Sequence, residues 1–185
     1  FIEYGTSIAY LIAFAFSLMI ANFFIKEEKK IFSIIYYIFS VGLIFVGLEE
    51  ISWGQRLIGL ESPDFFKTFN SQEEITIHNL EWFRHYLHNI YILIGFVGSF
   101  SWCLFRNKNN EFVRYFIPSW YVASFFLPPL IIFTIIEYTN GFGFFISKDQ
   151  EPVELILSLG FLFFVITNFF RQSLVKDEEC LPIEN

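Results

Sequence analysis

Long apolar segments alternate with short polar connections along this chain. Five of the apolar segments approach the length of about 20 residues that an α-helix needs to cross the hydrocarbon of a membrane. These segments cover residues 6–25, 31–51, 87–105, 113–136 and 153–170. The pattern therefore predicts an all-α membrane protein with a single transmembrane domain over residues 1–175, built as a bundle of about five spanning helices. We expect an interfacial segment between the second and third spans, and an acidic cytoplasmic tail over residues 176–185.

The composition agrees with a chain surrounded by a lipid bilayer. Of the 185 residues, 55% are hydrophobic, 22% are aromatic and only 17% are charged, which is far from the composition of a soluble domain. The net charge is −7 and the basic residues are scattered over short loops. A nucleic-acid partner is therefore not expected, because phosphate binding needs clustered Lys and Arg. The two cysteines form neither a disulfide framework nor a CxxC ligand pair.

The loops between the predicted spans differ in their content of Lys and Arg, which is higher on the cytoplasmic side of most membrane proteins. One side collects Lys26, Lys29, Lys30, Arg106, Lys108, Arg114, Arg171 and Lys176. The other side has Arg56, Lys67, Arg84 and Lys148. We therefore expect a multi-pass protein of the cell (inner) membrane, with its N-terminus outside and its C-terminus in the cytoplasm.

Small residues recur at every fourth position of the first span. The positions are Gly5, Ala9, Ala13, Ser17 and Ala21. Such a stripe lets another helix approach closely, which drives helix association where lipid offers no hydrophobic gain. The approaching helix could belong to this chain or to a membrane-protein partner, and we expect a partner at this stripe.

The fourth span contains Pro128 and Pro129 near its middle. Each proline removes a backbone donor, and the pair disfavours helical geometry just before it. We therefore expect a kink or a break in this span.

Acidic and imidazole side chains gather where the second, third and fifth spans reach the outer edge of the hydrocarbon. Counting about 1.5 Å per helical residue from the cytoplasmic ends places Glu49, Glu50, His85, His88 and Glu154 at similar depth. Ionised carboxylates at that depth are costly unless they are paired, solvated or bound to metal. The sequence therefore predicts a polar site shared by several spans.

The spacing of the histidines suggests chemistry for this site. His78, Glu81, His85 and His88 follow one another at steps of three and four, which places them along one stripe if all are helical. Glu50, His85 and His88 could bind a divalent metal ion such as zinc, iron or manganese, with Glu49 or Glu81 as a general base. The expected supporting residues are Gln55, Arg56, His78, Asn79 and Glu154. Hydrogen bonds that merely fix helix register, with Arg56 or Arg84 neutralising the acids, are the alternative.

The connection between the second and third spans carries a motif. The run GLEEISWGQR at residues 47–56 is followed by Ser62-Pro63, Asn70, Gln72, Glu74 and His78-Asn79. This string resembles a signature of a family of uncharacterised bacterial multi-span membrane proteins, over roughly residues 1–90. The resemblance implies a site at these residues and names no activity.

A second resemblance is to the CAAX-type intramembrane proteases, whose motifs are EExxxR, FxxxH and HxxxN. Glu49-Glu50 and the pair His85 and Asn89 are similar to two of these motifs. Position 54, where the first motif has Arg, is Gly, and Arg56 stands two residues later. No histidine of the chain follows a Phe by four residues. The resemblance would imply a membrane-embedded metal-dependent enzyme.

We expect the chain to be a small accessory or assembly subunit of a membrane complex, whose outer Glu and His site holds a polar partner, head group or structural ion. The alternative is a membrane-embedded metal-dependent hydrolase that acts on a lipid or a peptide. A proton-coupled carrier fits less well, because five spans without a repeat are few for alternating access.

Overall fold

A computed structural model describes residues 2–70, 74–78, 80–108, 110–139 and 150–179. Within these ranges, the side chains at positions 56, 57, 81, 84, 85 and 173–179 are outside the description. Four predicted site residues are affected: Asn79 as a whole, and the side chains of Arg56, Glu81 and His85. The predictions made for those groups therefore lie outside the described residues.

The described chain is helical almost throughout. The helices are α1 (Ile2–Lys26), α2 (Lys30–Glu50), α3 (Gln55–Ile58), α4 (Asp64–Phe69), α5 (Glu81–Phe105), α6 (Glu111–Phe116), α7 (Trp120–Ala123), α8 (Leu127–Tyr138) and α9 (Glu151–Glu179). A 3₁₀ turn at Ser52–Gly54 joins α2 to α3. Within the described ranges, strand-like pairing is limited to one isolated bridge between Asn70 and Leu80. The predicted all-α class is confirmed.

Four helical stretches are long and apolar enough to cross a membrane: α1, α2, Tyr86–Phe105 of α5 and Glu151–Gln172 of α9. The pair Glu111–Ala123 and Leu127–Tyr138 forms a fifth span if its two parts, which are bent by 74°, cross together. The protein is therefore a multi-pass helical membrane bundle. Pro128 and Pro129 lie in the first turn of α8, where missing backbone donors cost little. The predicted break near the middle of the fourth span is confirmed.

Helix α9 joins the two halves of the bundle. It packs against α1 on one side and against α7 and α8 on the other, while α2 packs on α1 and α5 packs on α8. Val165 of α9 belongs to the core that α1 and α2 build, and Leu157 of α9 belongs to the core of α5 and α8. The α9 helix runs to Glu179, so the first residues of the predicted tail continue the helix; Lys and Glu are good helix formers.

The small-residue stripe of α1 is used within the chain. Ala9, Ala13, Ser17 and Ala21 are buried, and a Cβ placed on Gly5 would lie 3.6 Å from Leu155 of α9. The Ser17 hydroxyl donates to a backbone oxygen of α2 at 3.1 Å, and the oxygen of Ala21 accepts from α2 at 2.9 Å. Helices α2 and α9 therefore use the close approach that small residues permit, and a membrane-protein partner at this stripe stays a prediction.

The predicted interfacial segment contains α4. Its apolar side chains Phe65 and Phe69 are exposed, as expected of a short helix that lies against lipid. The residue before the helix is Pro63, which has an extended conformation, and the hydroxyl of Ser62 accepts from Gln55 instead of capping α4. Lys67 and Phe66 donate their backbone N–H groups to the oxygen of Pro63. The segment therefore folds back on the end of α2.

Candidate functional site

A cavity of about 640 Å³ lies between α2 and α5. Apolar side chains make up nearly all of its wall, and its polar groups gather near the C-terminal end of α2. The α2 face contributes Ile38, Phe39, Gly42, Leu43, Phe45, Val46, Glu49 and Glu50. The other elements contribute Tyr10, Ile77, His78, Phe83, Leu87, Ile90, Tyr91, Ile94, Leu157 and Phe161. We call this space the α2–α5 cavity.

The α2–α5 cavity exists because α2 and α5 do not pack closely against each other. Among the described elements, each packs on its own partner, α1 for α2 and α8 for α5. Leu157 and Phe161 of α9 close the floor. Ile38, Phe45 and Ile90 at the rim are exposed, so the cavity opens sideways between the two helices. In a membrane this opening faces lipid.

A second apolar cavity of about 460 Å³ continues along the same groove. It shares Phe39, Ile94 and Phe161 with the α2–α5 cavity and extends to Phe116 and Pro118, beside the break in the fourth span. Together the two cavities extend along most of the length of α2 and α5. A long apolar chain lying along the helices would therefore find a continuous apolar surface.

Glu49 is fully engaged by the connection that follows α2. Its Oε2 atom accepts backbone N–H groups from Ile77 at 2.7 Å and from His78 at 3.2 Å, and lies 3.3 Å from Nδ1 of His78. Its Oε1 atom accepts from Nε1 of Trp53 at 2.5 Å. The carboxylate of Glu49 therefore holds the returning chain over the end of the cavity.

Glu50 is the opposite case. Its side chain lines the α2–α5 cavity and is only 9% exposed, yet it makes no hydrogen bond or ion pair with any residue of the described ranges. Glu3, Glu151 and Glu154 lie close enough to act on it electrostatically. Among the described residues, this buried carboxylate therefore lies near other acids and has no hydrogen-bond or ion-pair partner that compensates its burial.

Two tyrosines that the sequence reasoning missed complete the polar end. Tyr10 of α1 is 3% exposed and Tyr91 of α5 is 7% exposed, and both line the α2–α5 cavity. Neither hydroxyl makes a hydrogen bond with a described group. Glu50 and Glu154 act electrostatically on both tyrosines. Buried tyrosine hydroxyls usually find a partner. The available signal was weak: Tyr91 lies one turn beyond His88 on the same helix.

The backbone beside Glu50 is strained. Ser52 and Trp53 have φ angles of 51° and 54°, a region that residues other than glycine rarely adopt. Gly54 follows with a φ angle of 78°, which glycine adopts readily, so the strain lies at the two residues before it. Each such residue costs on the order of 1–3 kcal/mol and persists only where the surroundings hold it. The Ser52 hydroxyl donates to Glu74, and the indole of Trp53 donates to Glu49. Strain held in this way is typical of functional segments.

His78 and His88, the two histidines whose side chains are described, contact different acids. Helix α5 begins at Glu81, and His78 lies before it in a turn that Glu49 holds through hydrogen bonds. The prediction of one helical stripe from His78 to His88 is therefore wrong at His78. His88 is buried, and its Nδ1 lies 2.8 Å from Oε2 of Glu137 on α8.

The structure describes two of the three predicted metal ligands, Glu50 and His88. His88 and Glu50 form no ion pair, and no three His, Cys, Asp or Glu side chains among the described residues are placed to hold a metal ion. The predicted ligand set also includes His85, whose side chain lies outside the described residues. The metal site therefore stays a prediction.

The supporting residues divide in the same way. Gln55 donates to Ser62 at 2.7 Å and accepts from the backbone of Ile75 at 2.7 Å, so it cross-links the connection rather than binding an acid. Glu154 lies about one turn before Leu157 on α9, and its carboxyl group acts electrostatically on Glu50. Comparisons with protein-family models, with curated proteins and with solved structures find no match to this chain. The two resemblances noted in the sequence thus stay predictions.

Proposed function

We propose that this protein is a lipid-binding membrane protein that holds one amphiphile in the α2–α5 cavity, with the polar end of the ligand at Glu50. The observation that carries the proposal is the uncompensated carboxylate of Glu50 at one end of an otherwise apolar cavity. Ligand sites commonly combine apolar walls with a few placed polar groups. The cavity has this composition, and its side opening gives a ligand access from the bilayer.

The position of the polar groups favours a lipid over a wholly apolar ligand. A wholly apolar ligand would fill the apolar part of the cavity, between Ile38 and Leu157, but it would leave Glu50 without a partner. A ligand with a polar head would satisfy both parts at once, because its head reaches the carboxylate while its chain replaces lipid along α2 and α5.

Binding is better supported than hydrolysis. The hydrolase hypothesis assigns Glu49 or Glu81 as a general base. The side chain of Glu81 lies outside the described residues, and the carboxylate of Glu49 accepts hydrogen bonds from Trp53, Ile77 and His78 of the connection. His88 is engaged with Glu137 rather than with Glu50. We therefore propose a non-catalytic role, in agreement with the accessory function expected from the sequence.

We further propose that the protein resides in the cell (inner) membrane with its N-terminus outside. The support is the distribution of Lys and Arg between the loops, which places the Glu50 end of the cavity in the extracytoplasmic leaflet. The head group of the bound lipid would then lie on the outer side.

The test is whether lipid stays bound when the cavity is filled. Gly42 lines the cavity, and an added Cβ would meet nothing within 4 Å, so Gly42→Trp places a ring in the cavity without disturbing the helix contacts. Val41 is 66% exposed and lies outside the cavity lining, so Val41→Trp is the matched control. Native mass spectrometry of the full chain, released from neutral detergent, counts the retained lipid.

We expect wild type and Val41→Trp to retain one lipid, and Gly42→Trp to lose it while keeping the same helical circular dichroism. Equal lipid occupancy in Gly42→Trp and Val41→Trp would contradict the proposal, because the indole at position 42 should take the space that the lipid needs.

A further inference from the structure

We infer that the polar end of the α2–α5 cavity recognises a primary ammonium group carried by a membrane lipid. This inference rests on the proposed function and adds the chemical class of the head group. It is drawn from Glu50, Tyr10 and Tyr91, which line the cavity, and from Glu154, which acts electrostatically on all three.

The first argument is charge. Glu154 acts electrostatically on Glu50, and neither forms an ion pair with a Lys, Arg or His side chain that the structure describes. The imidazole of His78 lies at hydrogen-bonding distance from Glu49 and acts on Glu154 electrostatically. Two acidic groups in one low-dielectric site favour a cationic ligand. The same acids disfavour a phosphate or sulfate group directly at Glu50.

The second argument is hydrogen bonding. A primary ammonium group has three N–H donors and no acceptor. The carboxylate of Glu50 and the hydroxyl oxygens of Tyr10 and Tyr91 line the cavity, and none of the three makes a hydrogen bond with a described group. One ammonium group could therefore satisfy all three. The aromatic rings add a favourable interaction with a cation.

The third argument distinguishes the ammonium group from other cations. A divalent metal ion needs several converging ligands, and the described His, Cys, Asp and Glu side chains offer no group of three. A quaternary ammonium group carries no N–H donor, so it would leave the hydroxyls of Tyr10 and Tyr91 unsatisfied. The cavity wall, which is apolar along α2 and α5, requires that the ammonium group be attached to a long hydrocarbon chain.

The experiment compares probes that share one chain and differ in the head group. Dodecylammonium, dodecyltrimethylammonium and dodecanol are added to the full-length protein in neutral detergent, and binding is followed by native mass spectrometry. We expect dodecylammonium to bind about tenfold more tightly than either of the others, as hydrogen bonds to a charged group would give. Free ethanolamine, which has no chain, should not compete.

Variants assign this preference to the site. Glu50→Gln should abolish the preference for dodecylammonium, and the double variant Tyr10→Phe with Tyr91→Phe should reduce it several-fold without changing a charge. Glu27→Gln is the control, because Glu27 is an exposed carboxylate in the turn after α1 and lies outside the cavity. It should bind as wild type. If Glu50→Gln does not fold, the tyrosine double variant alone carries the test.

Failure of this inference can be told from failure of the proposed function. Equal binding of all three probes, still abolished by Gly42→Trp, would overturn the ammonium assignment and leave lipid binding in place. If dodecyltrimethylammonium binds as tightly as dodecylammonium, the assignment of a primary ammonium head group is overturned. Stoichiometric binding of Mn²⁺ or Zn²⁺ that Glu50→Gln abolishes would overturn it in favour of a metal. Probe binding that Gly42→Trp leaves unchanged would overturn both proposals.

Discussion

The Oε2 atom of Glu49 lies 2.7 Å from the backbone nitrogen of Ile77, 28 residues further along the chain. This contact returns the connection after α2 to the end of the helix from which it started. Glu50, the next residue, receives no such contact and lines the cavity. Two consecutive carboxylates therefore have different tasks, because side chains at successive helical positions point about 100° apart.

We predict that Glu49→Ala loosens the connection while Glu50→Ala does not. Removing the carboxylate of Glu49 leaves the N–H groups of Ile77 and His78 and the indole of Trp53 without their acceptor, at a cost of about 1–3 kcal/mol for each group that stays buried. Hydrogen exchange should accelerate at the amides of residues 75–78 in Glu49→Ala. Equal exchange in both variants would contradict the assignment of the two acids.

We predict an energetic coupling between His88 and Glu137. Their side chains are buried at 2.8 Å from Nδ1 to Oε2 and join α5 to α8. A double-mutant cycle of His88→Ala and Glu137→Ala, followed by unfolding in sodium dodecyl sulfate, should give a coupling of about 1–2 kcal/mol. A cycle of His88→Ala with Glu154→Ala should give almost none, and similar values in both cycles would argue against a specific pair.

The sequence was sufficient to locate the spans that the structure describes. Length and hydropathy located the four long apolar helices and the bent pair, and the cost of carboxylates in apolar segments singled out Glu49, Glu50 and Glu154 as candidates. The division of labour between Glu49 and Glu50 was beyond reach. It depends on where the segment at residues 74–78 returns. Ile75 and Ile77 alternate there with polar residues, as they would in a strand, whereas the segment folds as an irregular connection, so its periodicity does not predict its path.

The cavity could not be predicted because it results from a contact that is missing. Nothing in the apolar pattern of α2 and α5 says that each packs on a different neighbour and that the two stay apart. The same limit applies to Tyr10 and Tyr91. Tyr10 and Tyr91 line the same cavity because α9 brings α1 near α5, and this tertiary arrangement leaves no pattern in the sequence. His78 was placed on a helix because its spacing fits one, whereas Leu80 has an extended conformation just before α5.

We predict that two glycines of spanning helices respond oppositely to Ala. A Cβ on Gly95 of α5 would lie 2.9 Å from the backbone of Leu130 on α8, so the helices would have to separate. A Cβ on Gly42 of α2 would meet nothing within 4 Å. Gly95→Ala should therefore destabilise the fold by about 1–3 kcal/mol, and Gly42→Ala should be neutral or stabilising by up to about 1 kcal/mol. Thermal unfolding in one detergent compares them directly.

A buried polar network holds the end of α6 against α2 and α9. The amide nitrogen of Asn168 donates to the hydroxyl of Tyr36 and to the backbone oxygen of Tyr115, both at 2.9 Å. The Tyr36 hydroxyl donates to the same oxygen at 2.6 Å, and Arg171 donates to Asn168 at 3.2 Å and to the oxygen of Arg114. The unpaired carbonyls at the end of α6 thereby find partners where lipid offers none.

We predict that Asn168→Leu destabilises the protein more than Tyr36→Phe does. Asn168 contacts three neighbours and its loss frees Arg171, whereas in Tyr36→Phe the oxygen of Tyr115 keeps the bond from Asn168. The expected costs are about 2 kcal/mol and below about 1 kcal/mol in sodium dodecyl sulfate unfolding. Asn22→Leu is the control, because Asn22 is exposed and accepts only from Tyr37 among the described groups. A larger cost for Asn22→Leu than for Asn168→Leu would mean that the network does not stabilise the end of α6.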